Sequence, residues 1–550
     1  MAYLPYTQMK ARGENAARAA LLFARLEGPM YRSADIYSVE SGGWPGDWEG
    51  RTILALTLLH QITGKEPAYL AEILEELPRH LNEKGYLRQI YAHGELNEQQ
   101  LSGHSWLLRG LCAAYESDVS EKPDTVLAEI EAIVRNLYLP AAGKYRAYPI
   151  REEDRVENGE ASGHIGKKVG DWYLSSDTGC AYIPLDGLSH AYTVLDAHST
   201  DRELVAKLRD LLTEMTETFY SIPFLQIHAQ THATLTACRG LMRLYRHTPN
   251  EESLAFVEKI FRLYVDHGMT ANYANKNWFG RPEWTEPCAI IDSFILAAEL
   301  YDATGDAQYL PYIQKILYNG VYASERNNGG FGTDSCVGAV EKENNAYLVC
   351  SAYEAYWCCS MRGGEGLASI QRYAFRTLDD CNAEMLYPLS GIYQIGGKRL
   401  EVRTAYPFAG ETLLRILPGS DKTTLSLRIY VPESVETDLN GDGVYTLELT
   451  EGDYSFHLTP IIHMEKPEGD ENNTEKSLLY YGNTIIGIPD TGDGRQITRT
   501  EAENKAILWQ NGAEKSEMQN GAEKCEILPI TERYHSAPSM IEKQRIQILF

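Results

Sequence analysis

The chain has 550 residues, of which 43% are hydrophobic, and a formal net charge of −26 at pH 7. This length exceeds one ordinary hydrophobic core and predicts two or three domains. The acidic balance argues against nucleic acid or an anionic membrane as a partner, because both need a basic face, and no stretch approaches the ~20 apolar residues of a membrane span.

Helical periodicity dominates the chain up to about residue 375. Apolar residues recur at helical spacing in segments of roughly 11 to 19 residues. The predicted helices are 15–26, 52–62, 101–115, 124–137, 185–195, 202–220, 231–245, 251–265, 288–301 and 307–318. About a dozen helices suit six hairpins closed into a ring, so we predict an (α/α)6 barrel for residues 1–380.

The pattern changes near residue 380. Segments 400–404, 413–417 and 425–431 alternate or are rich in β-branched residues, and Gly, Pro, Asn and Asp turns separate them. We therefore predict a β-sandwich for residues 381–550, which makes the fold class mainly α with a β domain.

The N-terminus, Met1-Ala2-Tyr3-Leu4-Pro5, has no basic region followed by an apolar run, so it predicts no secretory signal. The ten cysteines are scattered without the regular spacing of a disulfide framework, which favours a reducing compartment. The expected location is cytoplasmic, and a homodimer is left open.

Two separated pieces, Glu286-Pro287-Cys288 and Cys358-Cys359, can supply one carboxylate and three thiolates to a single metal ion. Thiolate and carboxylate are both zinc ligands, and sulfur selects Zn²⁺ over Mg²⁺ or Ca²⁺. Structural zinc sites usually space their cysteines by two to four residues. An adjacent pair followed by a glycine-rich turn therefore suggests a second task for one sulfur, nucleophilic attack. The alternative is that these cysteines are small apolar core residues.

Three histidines, His104, His190 and His232, lie near the starts of predicted helices. In a helical barrel the loops before the inner helices face one mouth. We therefore expect the three imidazoles to line a common cavity as substrate contacts, the alternative being histidines that merely hydrogen-bond at a helix start.

Two aromatic-rich segments precede predicted helices, 44–51 and 278–285. Asp47 in the first either hydrogen-bonds sugar hydroxyls or caps the following helix. Trp278 in the second cannot be far from any metal bound at Glu286, and we expect it to contact substrate. Glu283 lies between Trp284 and the upstream Trp278, where apolar surroundings would keep a carboxyl group protonated, and the alternative is a solvated loop carboxylate.

Four motifs in a fixed order carry a resemblance to a known family. They are Thr285-Glu286-Pro287-Cys288, Thr304-Gly305-Asp306-Ala307-Gln308-Tyr309, Leu317-Tyr318-Asn319-Gly320-Val321 and Cys358-Cys359. In order and approximate spacing the chain resembles glycoside hydrolase family 127, the β-L-arabinofuranosidases, from about residue 43 to 490.

The resemblance implies a retaining exo-glycosidase with Zn²⁺ held by Glu286, Cys288, Cys358 and Cys359, and with Cys358 as the nucleophile. It also implies that His104, His190 and His232 contact sugar. The chain departs from the family where the acid/base glutamate belongs, since that position falls on Thr270. Glu283 is the first candidate for the missing proton donor and Glu365 the second.

The sequence thus favours a zinc-dependent exo-glycoside hydrolase that acts on an oligosaccharide or small glycoside and releases β-L-arabinofuranose or a related furanose. One alternative is a sugar epimerase or isomerase on a helical barrel, which would not need thiolate-bound zinc. Another is a carbohydrate-binding protein without turnover, which the missing acid/base glutamate would explain.

Overall fold

The computed structural model describes residues 2–550 apart from 39–42, 93, 118, 155–162, 164, 338–345, 351–353, 420–422, 442–443, 469–475, 491–495, 511–527 and 530–543. The helices are α1 (Gly13–Leu26), α2 (Ser33–Ile36), α3 (Asp47–Thr63), α4 (Leu70–His80), α5 (Glu98–Tyr115), α6 (Pro123–Ile133), α7 (Pro184–His198), α8 (Arg202–Phe219), α9 (Thr231–His247), α10 (Glu251–His267), α11 (Pro287–Thr304), α12 (Tyr309–Ile316), α13 (Cys359–Tyr373) and α14 (Arg499–Gln510). In the described part of the chain no helix combines the length and the apolar character needed to cross a membrane.

Six helices form a closed inner ring. Helices α3, α5, α7, α9 and α11 each pack against the next in this order, and α13 packs against both α11 and α3. The outer layer consists of α1, α4, α6, α8, α10 and α12, each packed against an inner helix that neighbours it in the chain or closes the ring. This arrangement is the predicted (α/α)6 barrel.

Burial separates the two layers. Almost every residue of α5 and α11 is buried, because an inner helix contacts its two ring neighbours, an outer helix and the barrel interior. Outer helices such as α8 bury a single apolar stripe and expose the opposite face. The inner helices are therefore buried along most of their length, polar residues included, whereas the outer helices are amphipathic.

The glycine-rich segment after Cys358 is helical, although its sequence indicates a turn. It forms α13, and its glycines allow close approach to neighbouring elements. A Cβ atom on Gly363 would lie 2.2 Å from the ring of Phe331, and one on Gly364 would lie 2.6 Å from the Cβ of Ala55. Tertiary packing therefore outweighs the weak helical propensity of glycine at these positions.

The strands are β1 (Ala2–Tyr3), β2 (Met9–Ala11), β3 (Leu96–Asn97), β4 (Ile165–Val169), β5 (Trp172–Ser175), β6 (Tyr347–Cys350), β7 (Phe375–Thr377), β8 (Asn382–Met385), β9 (Gly391–Ile395), β10 (Lys398–Ala405), β11 (Ala409–Ile416), β12 (Leu425–Tyr430), β13 (Val435–Thr437), β14 (Val444–Leu449), β15 (Gly452–Pro460), β16 (Ile462–Glu465), β17 (Leu478–Tyr481), β18 (Thr484–Pro489), β19 (Leu528–Pro529) and β20 (Gln544–Gln547).

Two sheets make up the β-sandwich that follows the barrel. Their strand orders are β1-β7-β8-β12-β14 and β13-β15-β11-β10-β9-β2. In β10 and β11, Leu400 pairs with Ile416 and Val402 with Leu414, and all four side chains are buried. Alternate residues thus face the core, as the sequence pattern predicts. The short N-terminal strands β1 and β2 complete one edge of each sheet and so attach the start of the chain to the sandwich.

A third sheet, β16-β17-β18-β20-β6, connects the end of the chain to the barrel mouth. Its strand β6 pairs with β20 and lies just before the Cys358-Cys359 pair. A smaller sheet, β3-β5-β4, places β5 directly before α7. Both sheets therefore position loops that enter the same end of the barrel as the inner-helix N-termini.

Candidate active site and metal centre

The inner helices begin at one mouth of the barrel, where they surround a cavity of about 730 Å³. Residues at or just before the starts of five inner helices line this cavity: Asp47 at α3, Asp177 before α7, Gln230 before α9, Glu286 before α11 and Cys358 before α13. The barrel geometry therefore brings together side chains that are hundreds of residues apart in the sequence.

Glu286, Cys288, Cys358 and Cys359 form a cluster in which all ligand atoms lie within 4.8 Å of one another. The Sγ atoms of Cys288 and Cys359 are 3.8 Å apart, and those of Cys358 and Cys359 are 3.4 Å apart. Tetrahedral Zn²⁺ with Zn–S bonds of about 2.3 Å separates its sulfurs by about 3.8 Å. The four side chains are thus arranged as a group that could hold a metal ion of this size.

Burial and charge also suit a cation at this position. Cys288 and Cys359 are fully buried, and Oε2 of Glu286 is buried without a hydrogen-bond partner among the described residues. Burial and the nearby Cys288 and Asp177 raise the pKa of Glu286 well above its ordinary value. A divalent cation would bond the orphaned oxygen and compensate the crowded negative charge.

Two helix N-termini supply the cysteines. Cys288 is the second residue of α11, Cys359 is the first residue of α13, and Cys358 immediately precedes it. The positive end of a helix dipole favours thiolate over thiol. Cys358 and Cys359 both line the cavity, but of the three sulfur side chains only that of Cys358 is partly exposed. Cys358 is therefore the sulfur that is most open to a ligand in the cavity.

Arg51 of α3 connects the cluster to the cavity wall. Its Nη1 donates to Sγ of Cys288 at 3.3 Å, and its Nε donates to Oδ1 of Asp47 at 2.9 Å. The guanidinium also lies over the ring of Trp106, 4.0 Å from the centroid. Burial raises the pKa of Asp47, and the ion pair with Arg51 opposes that shift. Asp47 therefore lies at the cavity as the first residue of α3 and the partner of Arg51.

His232 is the predicted histidine that the structure places in the cavity wall. Its Nδ1 lies 2.9 Å from Oδ2 of Asp292, an acceptor that fixes the proton on Nδ1. Its Nε2 lies 3.4 Å from Nη2 of Arg51. The imidazole also stacks on Trp106 with the ring centroids 5.8 Å apart. The stacking and the hydrogen bond to Asp292 together fix the orientation of the ring.

Buried hydrogen bonds hold the loops that carry the ligands. The backbone N–H of Glu286 donates to Oδ1 of Asn275 at 2.6 Å. Ser360, which follows the cysteine pair, donates to Glu354 at 2.6 Å, and Glu354 accepts from Arg25 of the outer helix α1 at 2.9 Å. These contacts fix the backbone around both halves of the cluster before any ligand binds.

Aromatic side chains form the outer part of the cavity. Trp44, Trp284 and Trp357 line it, and Trp357 is 53% exposed beside Cys358. Flat rings at a cavity mouth are suited to the apolar faces of sugars or to an aromatic group. Trp278, expected to contact substrate, is fully buried behind Trp284 with the ring centroids 5.6 Å apart, so it supports this wall and does not line it.

The structure does not bring His104 to the cavity. The residue lies within α5, and its Nδ1 is 2.8 Å from the carbonyl oxygen of Gln100. Its Nε2 accepts from the backbone N–H of Leu87 at 2.9 Å. Both ring nitrogens are therefore bonded to backbone, and burial lowers the pKa of His104 to about 4, so the imidazole is neutral.

His190 also lies away from the cavity lining. Its Nδ1 faces Arg109, and its Nε2 is 2.9 Å from Oε2 of Glu116 at the C-terminal end of α5. The inner helices run parallel around the ring, so this contact belongs deeper in the barrel than the helix starts. Of the three histidines expected to share one cavity, His232 is the one that the structure places in its lining.

The two candidate proton donors are engaged elsewhere. Glu283 does not line the cavity, and its carboxylate pairs with Arg281 at 2.9 Å where apolar surroundings were expected. Glu365 is buried inside the barrel against Arg109, Arg239 and Arg362. Three guanidinium groups favour its charged form and leave it unsuited to donating a proton.

Sequence reasoning missed Asp177, Trp357 and the contact of Arg51 with Cys288. Asp177 lies in Ser175-Ser176-Asp177-Thr178-Gly179, a run of small polar residues directly before an inner helix. Asp47 and Glu286 occupy the same kind of position, so a search for carboxylates before each inner helix could have found Asp177. No local signal indicates the contact between Arg51 and Cys288, which are 237 residues apart.

Comparison with known proteins connects the site to a family. Residues 208–372 match the family model described as the beta-L-arabinofuranosidase, GH127 catalytic domain, which confirms the resemblance inferred from the motifs. This segment carries His232 and all four residues of the cysteine and glutamate cluster. No curated protein matches the chain by sequence.

Solved structures share the fold over most of the chain. A GH127 beta-arabinofuranosidase has a TM-score of 0.64 at 14% identity, with 89% of this chain and 85% of the other covered. A GH127 beta-L-arabinofuranosidase from Geobacillus stearothermophilus T6 has a TM-score of 0.62 at 14% identity, with 89% and 87% covered. A further glycoside hydrolase has a TM-score of 0.60 at 12% identity, with 90% and 85% covered. The barrel and the sheet-rich C-terminal part thus occur together in these proteins.

Proposed function

We propose that this divergent member of glycoside hydrolase family 127 is a zinc-dependent retaining exo-glycoside hydrolase, which releases a terminal β-L-arabinofuranose or a related furanose. The chain is a glycoside hydrolase by its family, and the proposal concerns its metal, its nucleophile and its sugar. The observation that carries it is the cluster of three cysteines and one glutamate at the cavity, in which Cys358 has the one partly exposed sulfur side chain.

Glu286, Cys288, Cys358 and Cys359 would hold the metal ion. Bound Zn²⁺ keeps coordinated sulfur deprotonated at neutral pH, which is the state that nucleophilic attack requires. Three buried ligands suffice to retain a metal ion in catalytic zinc sites, where the fourth position takes part in the reaction. This division supports Cys358 as the nucleophile, while the other three ligands keep the metal ion in place.

The proposed reaction has two displacements at the anomeric carbon. Sγ of Cys358 first forms a C–S bond to that carbon while the glycosidic C–O bond breaks and its electron pair goes to the leaving oxygen. A water oxygen then forms a C–O bond to the same carbon while the C–S bond breaks and the electron pair returns to sulfur. Two inversions retain the configuration, as in retaining enzymes that use a carboxylate.

Cavity size and polarity support a small glycoside as the substrate. A volume of about 730 Å³ lies within the range of small-molecule sites. Asp47, Arg51 and Nε2 of His232 provide acceptors and donors for sugar hydroxyls on one wall, and Trp284 and Trp357 provide flat apolar surfaces. The cavity is closed at the cluster and open at the tryptophans. This shape suits the removal of one terminal sugar residue, because the rest of the substrate can extend out through the open end.

The test combines zinc content with a panel of nitrophenyl glycosides, pentofuranosides first, on the wild type, Cys358→Ser and Cys381→Ser. Cys381 is a partly exposed cysteine before β8 and outside the cluster, so its variant is a matched control. We expect stoichiometric zinc and sugar release by the wild type and Cys381→Ser, and loss of release in Cys358→Ser.

Full turnover by Cys358→Ser would reject the cysteine nucleophile. Stoichiometric zinc without release from any glycoside would reject hydrolysis and favour a carbohydrate-binding protein. Turnover that continues after zinc is removed would reject the metal and favour a metal-free sugar-converting enzyme on this barrel.

A further inference from the structure

Among the described residues that line the cavity, three carry carboxylates: Asp47, Asp177 and Glu286. A retaining glycosidase needs a carboxyl group that protonates the leaving oxygen and later deprotonates water. Glu286 belongs to the proposed metal ligands, and Asp47 is bound to the guanidinium of Arg51 at 2.9 Å. The third, Asp177, lies outside that ligand group.

The loop that carries Asp177 is fixed by its own hydrogen bonds. The backbone N–H of Asp177 donates to Oγ of Ser175 at 3.2 Å, and its carbonyl oxygen accepts from the N–H of Cys180 at 3.1 Å. Ser175 in turn accepts from the side chain of Gln99 in α5 at 3.1 Å. The side chain of Asp177 therefore extends into the cavity from a rigid turn, as positioning of a catalytic group requires.

Asp177 lines the same cavity as three of the proposed metal ligands, Glu286, Cys358 and Cys359. The residue is only 2% exposed, and its Oδ2 accepts from the backbone N–H of Gly163 at 3.0 Å. The carbonyl oxygen of the adjacent Thr178 accepts from the backbone N–H of Gln230, another residue of the cavity lining, at 2.9 Å. Asp177 therefore lines the same cavity as Cys358, where a glycosidic oxygen would lie during attack.

We propose that Asp177 is the general acid and base of this enzyme, taking the place of the family glutamate whose position is Thr270. This inference rests on the proposed function and identifies the residue that completes it. Thr270 itself cannot serve, because an aliphatic hydroxyl is too weak an acid and base. Its hydroxyl donates to Asn272 and accepts from the N–H of Ala274 within its own turn.

The proton balance follows the two displacements. When Cys358 attacks, the carboxyl group of Asp177 gives its proton to the leaving oxygen and becomes a carboxylate. When water attacks, that carboxylate takes a proton from the water as the new C–O bond forms and the C–S bond breaks. Each turnover therefore regenerates the protonated Asp177 and the free sulfur.

The test uses Asp177→Asn and, as a matched control, Asp171→Asn. Asp171 lies on the same hairpin, between β4 and β5, but is exposed and pairs with Lys144 outside the cavity. The substrates are a nitrophenyl and a methyl glycoside of the sugar that the wild type releases. Zinc content and thermal unfolding of each variant show that the site is intact.

For Asp177→Asn we expect release from the methyl glycoside to fall on the order of 100-fold or more, because an alkoxide leaves slowly without a proton donor. Formation of the enzyme-bound sugar from the nitrophenyl glycoside falls much less, since nitrophenolate leaves without protonation. Azide, which needs no general base, restores turnover and yields a glycosyl azide of retained configuration. A structural role for Asp177 produces neither the leaving-group dependence nor the azide product.

The inference is overturned if Asp177→Asn hydrolyses both substrates like the wild type, or loses both equally without azide rescue. It is also overturned if Glu283→Gln, tested alongside, shows the azide product instead. In these cases sugar release by the wild type and its loss in Cys358→Ser leave the proposed function standing. If the wild type releases no sugar from any glycoside, the proposed function and this inference fail together.

Discussion

Nη1 of Arg51 lies 3.3 Å from Sγ of Cys288, so a buried guanidinium hydrogen-bonds one sulfur of the cluster from α3, a helix that supplies none of its ligands. Four anionic ligands outnumber the two positive charges of Zn²⁺. Arg51 offsets part of that excess, and with the thiol hydrogen bonds from the neighbouring cysteines it lowers the pKa of Cys288 against the effect of burial. The guanidinium therefore favours the thiolate and would also stabilise the proposed metal-bound state.

The first prediction concerns Arg51→Met. Loss of the hydrogen bond and the positive charge beside Cys288 is expected to weaken zinc affinity by about 10- to 100-fold, the usual effect of removing a partner of a metal ligand. Competition with a chromophoric chelator measures this affinity. Arg403→Met is the control, because Arg403 is an exposed arginine of the sandwich.

The double variant Asp47→Asn/Arg51→Met distinguishes a loss of zinc affinity from a general loss of folding stability. It removes the buried carboxylate that Arg51→Met leaves unpaired, and should recover thermal stability but not zinc affinity. Unchanged zinc affinity in Arg51→Met would show that the hydrogen bond to Cys288 has no role in metal binding.

The barrel could be predicted from the sequence because about a dozen segments show helical apolar periodicity over sufficient length. Helix α10, for example, was predicted as 251–265 and runs over Glu251–His267. Helix α13 could not be predicted from local pattern, since Gly363 and Gly364 favour a turn and are helical only because Phe331 and Ala55 pack against them. Local helical propensity does not predict a helix whose formation depends on tertiary packing.

The cluster of three cysteines and one glutamate could be predicted because its residues occur in two compact motifs, whereas the cavity contacts could not. His104 and His232 have similar sequence settings, yet one bonds only to backbone and the other faces the cavity. The difference depends on which side of an inner helix faces the mouth of the barrel. An inner helix is buried on all sides, so its sequence pattern does not show which side that is.

The second prediction concerns stability in acid. Burial lowers the pKa of His104 and His190 to about 4 each, below the ordinary 6.5, so the unfolded chain binds their protons more readily than the folded chain. Stability from these residues is therefore fully present above pH 6.5 and is lost as the pH falls from 6.5 towards 4. For His104, which is fully buried, the loss amounts to roughly 3 kcal/mol.

Urea unfolding of the wild type and His104→Gln between pH 8 and pH 4 measures this effect. The variant is less stable at pH 8, but its stability should fall less steeply with pH than that of the wild type. Equal slopes for the two proteins would show that His104 is protonated as easily in the folded chain as in the unfolded one.

The third prediction concerns Trp357, which is 53% exposed at the cavity mouth beside Cys358. If its ring packs against the leaving group, Trp357→Ala should raise KM about 2- to 10-fold, the equivalent of roughly 0.5–1.5 kcal/mol of aromatic contact, with a smaller change in kcat. Phe408→Ala is the control, an exposed aromatic residue of the sandwich. A fall in kcat at constant KM would instead assign Trp357 to the transition state.

The fourth prediction concerns metal removal. The cluster joins the N-termini of α11 and α13, which are ring neighbours, through Cys288 and Cys359, 71 residues apart in the chain. A metal that binds only the folded state stabilises it by about 4 kcal/mol at a free concentration 1,000 times its Kd, so a strong chelator should lower the Tm of the wild type by several degrees.

Cys359→Ser removes a buried ligand and should have a low Tm that no longer responds to the chelator. Cys112→Ser provides the matched control, because Cys112 is equally buried in α5 but lies outside the cluster. Its Tm also falls, since a polar hydroxyl replaces a core thiol, but it should retain the full chelator response. A chelator response in Cys359→Ser equal to that of the wild type would place the stabilising metal away from this cluster.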